Sequence, residues 1–100
     1  MTESQIQAKI LKYLRKSFPK AVVWKLTEQT LCGVPDIFFA FNGHVFFFEV
    51  KRKNGIIRKR QEVTIRQLNE NKVPSYFVSS DVEVHNILME KLFDIKKPLW

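Results

Sequence analysis

Apolar residues recur every three or four positions near the start of the chain and crowd together in its middle. Ile6, Ile10, Leu14 and Phe18 share one helical face, and Pro19 closes that segment. Thr2 and Gln5 are spaced as a capping box for this helix, with Met1 and Ile6 as its hydrophobic staple. Residues 21–26 (AVVWKL) read as a strand and residues 27–34 (TEQTLCGV) as a loop. DIFFAF and HVFFFEVK then flank Asn42-Gly43, the dipeptide favoured in two-residue type I′ turns, so residues 36–51 predict a hairpin. A helix follows near 59–71, with Val63, Ile65 and Leu68 as its apolar contacts. PSYFVS (74–79) is another strand, and Ser80 with Glu83 opens a last capped helix to about Phe93. The order αβββαβα predicts a mixed α/β sheet flanked by helices, in one domain spanning residues 1–100. The hairpin is apolar on both faces, so helices or another subunit must cover both.

A two-residue turn also fixes the register. Phe41 then faces His44, Phe38 faces Phe47 and Asp36 faces Glu49. Alternation places Asp36, Phe38, Ala40, Val45, Phe47, Glu49 and Lys51 on one face. Two carboxylates directly opposite one another lie about 4.5–5.5 Å apart at Cβ and repel. A shared proton, Lys51 or a divalent cation would offset that repulsion. Mg²⁺ takes hard oxygen ligands, commonly one or two carboxylates completed by water and substrate phosphate. Asp36 and Glu49 are such a pair, the backbone carbonyl of Val50 is a third candidate oxygen, and Mn²⁺ is the expected substitute ion. Lys51 points into the same volume, where it would hold or deprotonate an attacking water or stabilise charge developing on a phosphate. Glu3 and Gln61 continue the apolar stripes of their helices toward this region. Both are candidates to surround the metal, and Glu3 is also a candidate ligand should a second ion bind.

Charge narrows the partner. The net charge is +7, and residues 51–60 (KRKNGIIRKR) hold six basic side chains and no acid. A local positive patch on a nearly neutral body calls for a polyanion, nucleic acid above all. Arg52, Lys53, Arg58, Lys59 and Arg60 are the candidate phosphate contacts, and Gly55 makes their loop bendable. Lys25 is a further candidate beside the plainer reading of a solvent-facing strand lysine. His44 and His85 receive no site role. A single cysteine, Cys32, rules out an intrachain disulfide framework and a multi-cysteine zinc site; it is expected as a small buried thiol. The longest apolar run, Ile37 to Phe41, is far too short to span a bilayer. The expectation is a soluble, intracellular protein of the cytoplasm (the host cytoplasm for a viral chain). Leu99, Trp100 and the surplus of Phe either feed the core or line a subunit interface.

Gly33-Val34-Pro35-Asp36, a twelve-residue spacer, Glu49-Val50-Lys51 and then Gln61 resemble the PD-(D/E)xK nuclease superfamily. The pattern is most similar to the VRR-NUC (virus-type replication-repair nuclease) family, from Glu3 to about Ser79. The resemblance implies a restriction-endonuclease-like core, with Asp36 and Glu49 as metal ligands, Lys51 as the catalytic lysine, and Glu3 and Gln61 in support. It implies a metal-dependent DNA endonuclease that hydrolyses phosphodiester bonds. Small members of the family are similar to archaeal Holliday-junction resolvases, which implies a homodimer acting on branched DNA. The sequence departs where such domains often carry Gly after the second helix: here it has Asn71-Lys72, and Asn tolerates the left-handed conformation. Two other readings stand beside this one. The first is a non-catalytic nucleic-acid-binding module with structural carboxylates, and the second is a nuclease of the same superfamily acting on flaps or plain duplex.

Overall fold

Thr2 opens the first helix, α1 (Glu3–Ser17), through a reciprocal cap. Its Oγ1 accepts from the Gln5 N–H at 3.1 Å, and Gln5 Oε1 accepts from the Thr2 N–H at 2.8 Å. Met1 is 71% exposed, so the cap rather than the expected staple fixes this helix start. The structure is a computed structural model that describes residues 1–27 and 33–93. The expectations for Cys32, Leu99 and Trp100 lie outside the described residues.

The remaining elements are β1 (Val22–Lys25), β2 (Ile37–Phe41), β3 (His44–Val50), α2 (Lys59–Glu70), β4 (Ser75–Val78) and α3 (Asp81–Leu92). They form a four-stranded sheet in the order β1-β2-β3-β4. The first three strands are antiparallel, while β3 and β4 are parallel and joined through α2, since parallel neighbours need a crossover. The hairpin register is the expected one, from Phe41 opposite His44 to Ile37 opposite Phe48. Asn42 and Gly43 have φ of 50° and 82°, both in the left-handed region that a type I′ turn requires.

The two faces of the sheet differ. Ile37, Phe39, Phe46, Phe48 and Val50 are fully buried beneath Ile6, Ile10 and Leu14 of α1, Phe18 at its C-cap, and Val84 and Leu88 of α3. At about 1.5–3 kcal/mol for each large apolar side chain taken from water, this face supplies most of the stabilisation. On the other face Phe38, Ala40 and Phe47 are only half-buried, and Val22, Trp24 and Val45 are exposed. Among the described residues, helices cover one face as expected but not the whole of the other: α2 packs by β4, at the opposite edge of the sheet from β1.

Two details of the helix ends differ from expectation. The left-handed residue after α2 is Lys72, with φ of 66°, while Asn71 stays at −91°. The Lys72 N–H donates to Asn69 O and the Val73 N–H to Leu68 O, the paired bonds of a Schellman ending. Asn71 is instead occupied by its side chain, which donates to Gln67 O at 2.9 Å. At α3, Ser80 Oγ accepts from the Glu83 N–H at 3.1 Å, but the Glu83 carboxylate accepts from the Ser79 N–H, one residue upstream of the expected partner.

Candidate functional site

Five side chains meet at one end of the sheet around a cleft of about 790 Å³. Asp36 enters it just before β2, Glu49 from the end of β3, and Lys51 from the residue after that strand. Glu3 enters from the first turn of α1 and Gln61 from the first turn of α2. All five residues expected at the site from the sequence therefore line a single cleft.

Sheet geometry explains the acidic pair. Asp36 continues the hairpin register opposite Glu49, and its Oδ2 accepts from the Val50 N–H at 2.8 Å. A side-chain oxygen thus takes a strand donor where the β2–β3 ladder ends, which fixes the direction of the carboxylate. Gly33 determines how this segment approaches. Its φ is +87°, and a Cβ there would sit 2.9 Å from Thr64 Oγ1 and 3.0 Å from Arg60 O. The chain leading to Asp36 therefore lies directly on the first turn of α2, the same turn that carries Gln61.

Glu49 is 4% exposed, so its charge depends on close partners. Gln61 Nε2 donates to Glu49 Oε2 at 3.2 Å, and Lys51 Nζ lies 3.9 Å from the same oxygen. The Lys51 side chain is itself only 12% exposed, which shields the pair from solvent screening. Gln61 also caps α2, because its Oε1 accepts from the Arg58 N–H at 3.1 Å. One amide therefore couples the start of the helix to the orientation of Glu49.

That double use gives a prediction. In Gln61→Glu the new side chain still accepts from Arg58 but loses its donor and places a second carboxylate beside Glu49. Two such acids share a proton, so the folded-state pKa of the pair rises above its unfolded value. The stability deficit relative to the parent should be small in acid and grow as pH rises through that raised pKa. Urea melts of both chains across the acidic to neutral range read this directly, and a pH-independent deficit would contradict it.

The basic residues divide. Lys25, Arg52 and Arg58 line the cleft. Lys53 lines a neighbouring hollow with Arg52, Asn54 and Ser79. Lys59 and Arg60 line a third hollow with Val63 and Thr64, which adjoins the cleft through their shared lining residue Arg58. The structure thus does not bring the whole basic run to one place. Residues 52–55 form a turn in which the Gly55 N–H donates to Arg52 O at 2.8 Å. A Cβ on Gly55 would lie 3.1 Å from Arg52 O and 3.3 Å from Glu3 Oε2, so this glycine allows a close approach to Glu3. Gly55 thus has a packing role in the basic loop.

Gln7, Thr27 and Asn54 also line the cleft, beyond the residues expected there. Gln7 stands four residues after Glu3, on the same helical side, and that spacing is a signal that would find it. His85, given no role from sequence, accepts or donates at Nδ1 to the Tyr13 hydroxyl at 2.9 Å, away from the cleft. Burial, and secondarily the charge of Asp81, pushes the Tyr13 hydroxyl above its ordinary pKa.

The donor set suits a small hard cation held partly by protein and partly by water and phosphate. It offers two carboxylates at a strand end beside the Val50 backbone. Among the described residues no group of three or more His, Cys, Asp or Glu is placed to hold a metal ion. Glu3 therefore borders the cleft without joining Asp36 and Glu49 in a three-acid ligand cluster. Among the described residues no helix is long and apolar enough to cross a membrane.

No family model and no curated protein matches the sequence. One solved structure, titled "VRR_NUC domain", is similar at 23% identity, with 91% of this chain and 98% of that chain covered and a TM-score of 0.69. The chain therefore has the restriction-endonuclease-like α/β fold of that domain.

Proposed function

We propose that this chain is a Mg²⁺-dependent DNA endonuclease that hydrolyses phosphodiester bonds, with Mn²⁺ as substitute ion. The observation that carries the proposal is the joint placement of Asp36, Glu49 and Lys51 at the end of β3, in a cleft bordered by basic side chains. The likeness in fold to a VRR_NUC domain supports the same reading.

Asp36, Glu49 and the Val50 backbone carbonyl would hold the ion. When bound, it would polarise the scissile phosphate and acidify water, the usual contribution of such a cation. The chain's own residues supply the rest. Lys51, held against Glu49, presents an ammonium group to the attacking water and to charge developing on the phosphate. Gln61 holds Glu49 in place through its amide, and the Val50 N–H holds Asp36. Arg52, Arg58 and Lys25 attract the DNA backbone, an interaction that weakens with salt. Glu3 supports the cleft from α1, against the 52–55 turn.

The finer reading is a Holliday-junction resolvase-like enzyme that acts on branched DNA as a homodimer. Exposed Val82 (63%) and Phe93 (52%), on α3 and at its end, favour contact with a second copy. Light scattering at micromolar concentration should give about twice the 11.9 kDa chain mass; a single 12 kDa species counts against the dimer. A panel of four-way junction, flap and plain duplex DNA with Mg²⁺, using the parent and Asp36→Ala, tests the function itself. Product from the parent alone supports the proposal. Salt-sensitive binding without product on any substrate would make the chain a binding module.

A further inference from the structure

Beyond the carboxylates, the same sheet face carries an aromatic row, exposed at Trp24 and half-buried at Phe38 and Phe47. Trp24 on β1 pairs with Phe38 on β2, which pairs with Phe47 on β3. The Trp24 indole stacks on the Phe38 ring with centroids 4.8 Å apart and planes 23° apart. Phe47 meets Phe38 edge-on at 5.4 Å. Phe38 stands two residues from Asp36 and Phe47 two residues from Glu49, so this row is one strand repeat, about 6.6 Å, from the row of acids. Leu26, two residues beyond Trp24 on the same side, already lines the cleft.

Trp24 is 56% exposed although one side of its indole is held by Phe38. A tryptophan fixed on one side and open on the other is a stacking surface. Taking about 250 Å² for the whole side chain, its exposed part is roughly 140 Å². Val22 and Val45, 40% and 37% exposed, are smaller side chains. A stable protein interface takes about 800 Å² from each partner, and this patch falls well short of that. A nucleobase, by contrast, is a flat ring system of the same order of size as the indole. The basic side chains of the adjoining cleft attract the phosphates to which such a base is joined.

We infer that Trp24, backed by Phe38, stacks an unpaired nucleobase next to the scissile phosphate and so selects DNA whose strand is unpaired at that point. A base inside a duplex already stacks on its neighbours and presents no free face to the indole. The inference rests on the nuclease reading above but not on its four-way-junction refinement: it favours DNA with an unpaired nucleotide beside the cut over a fully paired junction, and it names the residue that reads that nucleotide. Trp24 touches substrate without taking part in bond breaking, so its loss acts on one class of DNA rather than on cleavage in general.

The test compares kcat/KM with Mg²⁺ on three DNAs of equal length: fully paired, flapped, and flapped with the first unpaired nucleotide lacking its base. Trp24→Ala should lower cleavage of the flapped DNA about tenfold, within the range found for single base–aromatic stacks. It should leave the paired and abasic substrates nearly unchanged. Trp24→Phe should retain most of the activity, and an unchanged melting temperature would show both variants folded. Equal loss on all three DNAs, or no loss on any, overturns the inference. So does a change of oligomeric state in Trp24→Ala, which would assign the indole to contact between copies. A parent chain that cuts none of the DNAs refutes the nuclease reading, and this inference with it. Parent cleavage of flapped DNA that Trp24→Ala does not alter refutes the inference alone.

Discussion

Asp36→Asn will fold, bind DNA and cut it at least about a thousandfold more slowly than the parent. An asparagine can still accept from the Val50 N–H, now 2.8 Å from Asp36 Oδ2, so the end of the hairpin keeps its shape. What it loses is the negative charge that a hard cation requires. Several kcal/mol of transition-state stabilisation depend on that cation, and each 1.4 kcal/mol is a factor of ten in rate. Asp36→Ala removes the charge and the hydrogen bond together, so it should be equally inactive and less stable. Gel-shift and single-turnover cleavage measurements on the three chains separate the two effects. Cleavage by Asp36→Asn within tenfold of the parent would remove the carboxylate from the chemistry.

Lys51→Ala has the second large expected effect. Its Nζ is 3.9 Å from Glu49 Oε2 in a pair largely shielded from solvent, while Gln61 still donates to the same oxygen at 3.2 Å. Stability should therefore fall, because removing one partner of a shielded pair is costly, but the Gln61 bond limits the loss. Catalysis should fall by about 10²–10³, the loss typical when a preorganised donor to developing charge is removed. DNA affinity should persist, because Arg52, Arg58 and Lys25 still border the cleft. A parallel loss of binding and cleavage would make Lys51 a phosphate contact and nothing more. Undiminished cleavage would remove it from the mechanism.

Much of this arrangement is legible in the sequence because it depends on local rules. Asn42-Gly43 allows only a tight turn, and that turn carries Asp36 to a position opposite Glu49. Thr2 and Gln5 cap α1 and so place Glu3 in its first turn. What the sequence conceals depends on where elements end. The basic run looks like one patch when written out, but α2 begins at Lys59, and successive residues on a helix point about 100° apart. Lys59 and Arg60 consequently line an adjoining hollow, with Arg58 shared between it and the cleft. The bond from the Val50 N–H to Asp36 is equally invisible, since it forms only where the ladder between β2 and β3 stops. Composition points to an apolar surplus. Only the placement of the helices, α1 and α3 over Phe39 and α2 by β4, reveals that the surplus is closed at Phe39 and open at Trp24.

The most direct test is a crystal soaked in Mn²⁺ and measured for anomalous scattering. One strong peak is expected in the cleft, about 2.2 Å from a carboxylate oxygen of Asp36 and another of Glu49, as for a hard divalent cation near the Mg²⁺–Ca²⁺ size range. That peak should disappear in Asp36→Asn. A peak elsewhere, or none while both acids remain turned toward their present hydrogen-bond partners, would contradict the metal site and the chemistry built on it.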